Sequence, residues 1–180
     1  MQELVVLLND QFEPIGTMPK AEVHTGDTPL HRAFSLFLFN RKGELLLQQR
    51  SSKKVAFPLV WTNSCCGHPA PEESYENAAK RRAAFELGIT GFEPVLAIPD
   101  YHYQASMHGI KENEFCPVLT AVIDQEPTPN HDEVEAVRWV PWAEWVEETK
   151  KHPENYSPWC VEETSLLDQK EVIYGLNDKL

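Results

Sequence analysis

Hydrophobic periodicity divides the chain into strand-length and helix-length pieces. Residues 3–8 form a short apolar run that reads as a strand, and Asn9 to Gly16 read as a turn leading into a second strand. His31 to Phe39 alternates, with Phe34, Leu36 and Leu38 on one face. The turn signal Asn40-Arg-Lys-Gly43 follows, and Glu44 to Gln49 returns as a strand, so the two predict a hairpin. Lys20 to Pro29 and the basic stretch Arg50 to Lys54 read as loops, and Phe57 to Thr62 is a short apolar piece. Pro71 to Leu87 carries the clearest helix signals: a proline at its start, Glu72 and Glu73 at the positive end of the dipole, a Glu76–Lys80 pair and a closing Gly88.

Downstream, Glu93 to Tyr103 reads as a strand broken at Pro99. Glu112 to Ile123 reads as another, with Pro117 as an objection to a central position. Asp124 to Glu135 is an acidic loop, Val137 to Val140 a final strand, and Pro141–Lys151 and Val161–Leu180 are expected helices. The sum is an α+β domain with a mixed sheet and flanking helices, and no repeat, linker or low-complexity tract divides its 180 residues.

Charge narrows the function classes. A formal net charge of −12 argues against a general nucleic-acid binder, which needs a basic footprint. An anionic small ligand remains compatible if a local cationic pocket or a metal receives it. No run reaches the roughly 18 apolar residues of a membrane span, and the N-terminus lacks the basic start of a signal peptide, so a cytoplasmic location is expected. Two of the four cysteines are adjacent, which suits free thiols better than a disulfide framework.

The candidate chemistry concentrates around Trp61-Thr-Asn-Ser-Cys-Cys-Gly-His-Pro69. His24, His31, His68, Glu112 and Glu114 are candidate metal ligands. The two glutamates are two apart on an expected strand and so share a face, and imidazole with carboxylate suits Mn²⁺ or Zn²⁺. The same residues also fit ordinary solvated polar groups. Cys66 precedes an expected helix start, where the dipole and a nearby cation lower a thiol pKa. The alternative for either Cys65 or Cys66 is a buried, inert thiol.

Gly67, Glu73, Arg81, Glu86 and Gly88 keep the spacing of the Nudix box, G-x5-E-x7-R-E-U-x-E-E-x-G-U, over about residues 67–89. Arg82 and Phe85 replace two of its acidic positions. Several box carboxylates hold metal and activate water in a Nudix hydrolase. With Glu86 alone left of the C-terminal cluster, the helix suits one Mg²⁺ against a diphosphate. Taken with Asp27-Thr-Pro-Leu-His-Arg-Ala-Phe34, Trp61 to Pro69, the Glu-Asn-Glu of Gly109 to Val118, and Tyr156-Ser-Pro-Trp159, the chain resembles the type I isopentenyl-diphosphate isomerases over nearly its whole length.

That resemblance implies a single Nudix-like domain with an N-terminal extension over residues 1–180. It implies interconversion of isopentenyl and dimethylallyl diphosphate through a carbocation-like intermediate, in isoprenoid biosynthesis. Cys66 and Glu114 are then the acid/base pair, in an order the sequence leaves open. Tyr103 hydrogen-bonds the carboxylate and Trp159 faces the developing cation, with core packing as its alternative. A Mn²⁺ or Zn²⁺ ion lies among His24, His31, His68, Glu112 and Glu114, and Mg²⁺ joins the diphosphate to Glu86 and the Cys66 carbonyl. Lys20, Arg50 and Lys54 are candidates for diphosphate contact, with Lys53 as the alternative to Lys54. Partners are a small isoprenoid diphosphate, no nucleic acid and no membrane, with a monomer expected. In some members a glycine-containing turn stands where this chain has Pro58-Leu59, which leaves that backbone open. A diphosphohydrolase and a non-catalytic metal-binding module are the rival readings.

Overall fold

A computed structural model describes residues 3–170. In chain order the strands are β1 (Leu4–Leu8), β2 (Pro14–Pro19), β3 (His31–Arg32), β4 (Phe34–Phe39), β5 (Glu44–Arg50), β6 (Trp61–Thr62), β7 (Cys65–Gly67), β8 (Val95–Ile98), β9 (His102–Met107), β10 (Ile110–Phe115), β11 (Val118–Val122) and β12 (Val134–Pro141). The helices are α1 (Lys20–Val23), α2 (Tyr75–Leu87), α3 (Trp142–Lys151) and α4 (Pro158–Gln169). They form a five-stranded sheet, β2-β1-β3-β10-β9, and a second sheet with the path β12-β5-β4-β11-β8, to which β6 and β7 attach.

The single strand expected over Glu112–Ile123 is two strands in two sheets. Pro117 cannot donate a ladder hydrogen bond, and the chain turns a corner at Cys116-Pro117. The neighbouring segment breaks in the same place: β3 pairs parallel with β10, and β4, one residue on, pairs parallel with β11. All six residues of β4 are buried because its faces serve two cores. Phe34, Leu36 and Leu38 pack with Ala78, Ala79, Ala83 and Leu87 of α2. Phe37 and Phe39 pack with Trp145, Trp159 and Leu167 from α3 and α4.

The α2 helix begins later than expected. Ser74 caps it, its hydroxyl accepting from the Asn77 amide at 3.2 Å, and Glu72 lies before it at φ 65°. Glu73 is also outside the helix, accepting from the Ala70 amide and from Arg81. Lys80 pairs with Glu93 rather than with Glu76. Gly88 ends the helix at φ 68° as expected. Gly67 is needed for a different reason: a Cβ there would stand 2.9 Å from Arg82 Cγ and 3.2 Å from the Phe34 ring. The absent side chain lets β7 lie against α2.

Other bounds shift by local chemistry. Lys20–Val23 is a short helix inside the expected loop, β12 runs longer than Val137–Val140, and Glu93–Tyr103 divides into β8 and the start of β9. The last expected helix begins at Pro158 and is described to Gln169, so its remainder from residue 171 lies outside the described residues.

Between β5 and β6 the chain takes a strained path. Phe57 and Leu59 have φ of 49° and 62°, in the left-handed region. A non-glycine residue there costs about 1–2 kcal/mol, and glycine returns about 0.5–1 kcal/mol of that through a freer unfolded chain. Leu59 is half exposed and has little packing to lose. Leu59→Gly is therefore expected to raise stability by about 0.5–1 kcal/mol, or about 1–3 °C in Tm. Thermal unfolding checks this; a lower Tm would show that Leu59 packing outweighs its strain.

Candidate active site

The corner between the sheets builds the metal-ligating group. Parallel pairing sets Glu114 opposite His31, and two-residue alternation puts Glu112 on the same face of β10, both carboxylates being buried. His68 follows β7 directly, and His24 follows α1. His24, His31, His68 and Glu114 offer donor atoms that all lie within 4.8 Å of one another. His31 Nε2 is 3.2 Å from His68 Nε2. The Glu114 Oε1 atom is 3.0 Å from His68 Nε2 and 3.3 Å from His31 Nε2.

Three polar atoms this close in a buried space need a shared proton or a cation between them. Donors about 2.1–2.2 Å from one six-coordinate ion stand about 3.0–3.1 Å apart, so these separations fit a divalent metal. His31 Nδ1 lies 2.9 Å from the Pro29 carbonyl oxygen, which fixes the ring and leaves Nε2 for the ion. Glu112 stands at the edge of the group. Its Oε2 is 3.1 Å from His24 Nε2 without a formed hydrogen bond, as for two ligands aimed at a common point. Hydrogen bonds from His31 and His68 outweigh the cost of burial and hold the Glu114 carboxyl well below its ordinary range. Burial drives His68 down to about 3, so its ring is neutral.

A cavity of about 380 Å³ opens beside this group, and Cys66, His68, Tyr103, Glu112, Glu114 and Trp159 are among its walls. The Tyr103 hydroxyl donates to Glu114 Oε2 at 2.8 Å. Trp159 is almost wholly buried yet reaches the cavity, its ring 5.3 Å from Tyr103 and 4.9 Å from Phe57. Packing and a cavity-facing role therefore coincide at this residue.

Cys66 sits on β7 rather than at a helix start, since α2 begins nine residues later at Tyr75. The expected lowering of its pKa is reversed. Burial pushes the thiol up to about 12. Its Sγ lies 3.1 Å from Asn63 Oδ1, which also accepts from Trp159 Nε1 at 3.3 Å. Asn63 thus ties the thiol to the indole. Cys65, on the opposite face of β7, is fully buried and its pKa is also raised by burial.

Cations and acids both line the cavity, Glu3, Asp132 and Glu133 pairing with lysines there. Lys20, Arg50, Lys54 and Arg82 all line it. Arg50 donates to the Ala56 carbonyl from both Nε and Nη2 and lies 5.8 Å from the Trp159 ring centre. Lys54 is one-fifth exposed, pairs with Glu133 and stands 3.8 Å from Glu86. Lys53 is two-thirds exposed and pairs with Asp132. Of the two adjacent lysines, Lys54 is therefore the inward one.

Glu86 is buried behind Arg82, which ion-pairs with it, and accepts from Gln48 Nε2 at 3.2 Å. Its carboxylate is held within the wall, with Arg82 between it and Glu133. In the linear pattern Arg82 is legible only as the loss of a box carboxylate. Its one-position offset from Arg81 along the helix, toward the buried face, is the available signal for a cavity cation. Glu133 carries no motif and lies within an acidic loop.

Residues 29–160 match the NUDIX domain. The chain is 47% identical over 166 residues to the isopentenyl-diphosphate Delta-isomerase of Saccharopolyspora erythraea, covering 92% of this chain and 86% of that protein. It is 44% identical over 172 residues to the isopentenyl-diphosphate Delta-isomerase of Klebsiella pneumoniae, covering 95% and 94%. Among solved structures, the MutT protein of Methanosarcina mazei superposes with a TM-score of 0.65 at 19% identity, covering 79% of this chain and 96% of that one. A protein from Deinococcus radiodurans superposes at 0.63 and 23% identity, covering 83% and 90%. At such identities the structural likeness speaks for the fold alone.

Proposed function

The chain belongs to the isopentenyl-diphosphate Delta-isomerase family, on a NUDIX domain, and from that premise we infer how it interconverts isopentenyl and dimethylallyl diphosphate. The observation that carries the reading is one cavity lined by a thiol, a tyrosine-bonded carboxylate and an indole, together with Lys20, Arg50, Lys53, Lys54 and Arg82.

Cys66 and Glu114 are the acid/base pair. An alkene is a very weak base, so its proton donor must be held in contact and shielded from water. The raised pKa of Cys66 suits this, because a thiol that keeps its proton at neutral pH has one to deliver. Glu114 carries the complementary change, and Tyr103 holds its second oxygen so that one carboxylate orientation faces the substrate. Trp159 turns its π-face toward the charge that develops at the tertiary carbon, worth about 0.5–2 kcal/mol.

His24, His31, His68, Glu112 and Glu114 would hold a divalent ion, Mn²⁺ or Zn²⁺, which would supply fixed positive charge beside Glu114. The diphosphate is received by Lys20, Arg50, Lys54 and Arg82. Glu86 and the Cys66 carbonyl would hold a Mg²⁺, which would offset the diphosphate charge; Arg82 pairs with Glu86 in its place. Hydrolysis is disfavoured because the box lacks the carboxylates that would activate water, and Glu86 is already neutralised by Arg82.

The proposed site is complete within one chain, and a monomer and a single domain over residues 1–180 are the working reading. Free thiols at Cys65, Cys66, Cys116 and Cys160 support the cytoplasm as its location.

Proton NMR of the protein with isopentenyl diphosphate, Mg²⁺ and Mn²⁺ in D₂O tests the reading. New dimethylallyl methyl signals carrying deuterium, without phosphate release, are expected. Hydrolysis products would return the chain to the diphosphohydrolases, and bound metal with an unchanged spectrum would leave a binding module.

A further inference from the structure

Lys54 and Arg82 share the same two acids. Glu133 pairs with Lys54 and accepts from Arg82 Nη2 at 3.1 Å. Glu86 pairs with Arg82 and stands 3.8 Å from Lys54 Nζ. Two of the cations assigned to the diphosphate are thus already engaged by carboxylates of the chain itself.

The two acids differ in how readily they can let go. Glu86 is buried within α2 and also accepts from Gln48 Nε2. The Glu133 side chain is one-fifth exposed, and the residue ends the acidic loop just before β12. Its backbone is fixed: the amide donates to the Asn130 carbonyl at 2.9 Å, and the carbonyl accepts from the Ser51 amide at 3.0 Å. Only the side chain has to turn for the carboxylate to reach water. Burial opposes the charge on Glu133, but Lys54 and Arg82 outweigh it and hold the carboxyl below its ordinary range. Glu133 is therefore an anion at neutral pH. Arg82 Nε is buried and, among the described residues, has no hydrogen-bond partner, so the guanidinium keeps a donor in reserve for a further acceptor.

We propose that Glu133 is a built-in competitor for the diphosphate: its carboxylate occupies Lys54 and Arg82 in the empty site, turns to water when the ligand binds, and returns as the product leaves. This rests on Lys54 and Arg82 receiving the diphosphate, as described above.

The reaction supplies a use for such a device. Substrate and product carry the same diphosphate, so energy gained on it holds both equally and adds nothing to the chemical step. A site of uncontested cations would release product slowly. Displacement of Glu133 subtracts from the affinity of both. Its return also spares Lys54 and Arg82 from being left half-buried without a counter-charge. Glu133 touches the cations rather than the substrate, and is a positioning residue for them.

Calorimetric titration of the metal-loaded protein with inorganic diphosphate tests the competition. Glu133→Gln keeps the shape and removes the charge, and is expected to tighten binding about tenfold. KM for isopentenyl diphosphate and the inhibition constant of dimethylallyl diphosphate should fall by a similar factor. The single-turnover rate should stay within about twofold. Glu133→Asp, which keeps the charge, should return affinity to within about threefold of the unaltered protein. Asp124→Asn removes a charge from the same loop, but one that pairs with Arg41 outside the cavity, and should leave affinity within about twofold. Unchanged or weaker binding by Glu133→Gln overturns the proposal, since a merely supporting residue cannot tighten binding when lost. Equal tightening by Asp124→Asn overturns it too, by reducing the effect to net charge. Glu133→Ser removes the same charge and gives the same readout should the glutamine not fold. Diphosphate binding by an unaltered protein that forms no dimethylallyl product would remove the isomerase reading alone, and the competition would still be decided by these affinities.

Discussion

Cys66→Ala is expected to lower kcat by about a thousandfold, within the range a positioned acid or base supplies, while the affinity for isopentenyl diphosphate changes by less than about threefold. That loss corresponds to about 4 kcal/mol of transition-state stabilisation. The two effects separate if, as proposed, the thiol meets the hydrocarbon part of the substrate and Lys20, Arg50, Lys54 and Arg82, which line the same cavity, meet its diphosphate. The fold should survive the change, since Cys66 is only partly buried and its sulfur contacts Asn63 and Ser35 rather than the body of either core. Steady-state kinetics with calorimetric titration measures both quantities. Activity within tenfold of the unaltered enzyme would remove Cys66 from the reaction. A parallel loss of affinity would place the thiol in substrate binding instead.

Removal of the divalent ion is expected to be as severe and to reach stability as well. Dialysis against a strong chelator should abolish turnover. It should also lower Tm by about 10 °C, taking an ion present at about a thousandfold its Kd and a chain of this size. The physical reason is the close group of His31 and His68 Nε2 with Glu114 Oε1 at 3.0–3.3 Å, which a shared divalent ion satisfies all at once. Added Mn²⁺ or Zn²⁺ should restore both properties, and the better of the two identifies the preferred ion.

Acid should imitate the chelator. Without the ion, burial opposes a proton on His31 but Glu114 favours it, and the net shift is upward. As pH falls through that raised value a proton competes with the metal for Nε2, so metal affinity declines with acid. His31→Ala should behave as the metal-free protein at every metal concentration. Unaltered turnover and Tm after verified metal removal would mean that protons hold this cluster together.

Much of the site is legible in the linear pattern of residues. Those that chemistry must bring together, such as Cys66, Glu114 and the three histidines, sit in short motifs whose side-chain types are costly to keep for packing alone. Spacing then carries geometry: Glu112 and Glu114 share a face because strands alternate. What is not legible depends on depth. The motif places Cys66 near an expected helix start, but Ser74 delays the helix, and burial raises the thiol pKa instead of a dipole lowering it. Arg82 reads as a lost carboxylate in the box pattern, and only the packing of α2 shows it beside the cavity. Glu133 carries no motif at all. Its interest lies entirely in the two cations it pairs with, which no linear pattern records.

The fold follows the same division. The hairpin of β4 and β5 is readable from Asn40 to Gly43, and the two-faced core from the alternation of Phe34, Leu36 and Leu38 against Phe37 and Phe39. The corner at Cys116-Pro117 is visible only as a proline in an awkward place. Its companion break at Ala33 leaves no mark, because a bend between two strands of compatible composition changes no periodicity.

That double bend sets how the chain tolerates mutation. His31 and Glu114 lie on one side of it, and Ser35 beside Cys66 on the other. Substitution at Ala33 or Cys116 disturbs a local contact. Insertion or deletion of a single residue there turns every following side chain to the opposite face of its sheet. The metal ligands would survive such a change intact, and the thiol would face a strand that no longer presents its hydroxyl. Residue number between His31 and Ser35, and between Glu114 and Val118, is therefore a stricter constraint on the site than residue type at the bend itself.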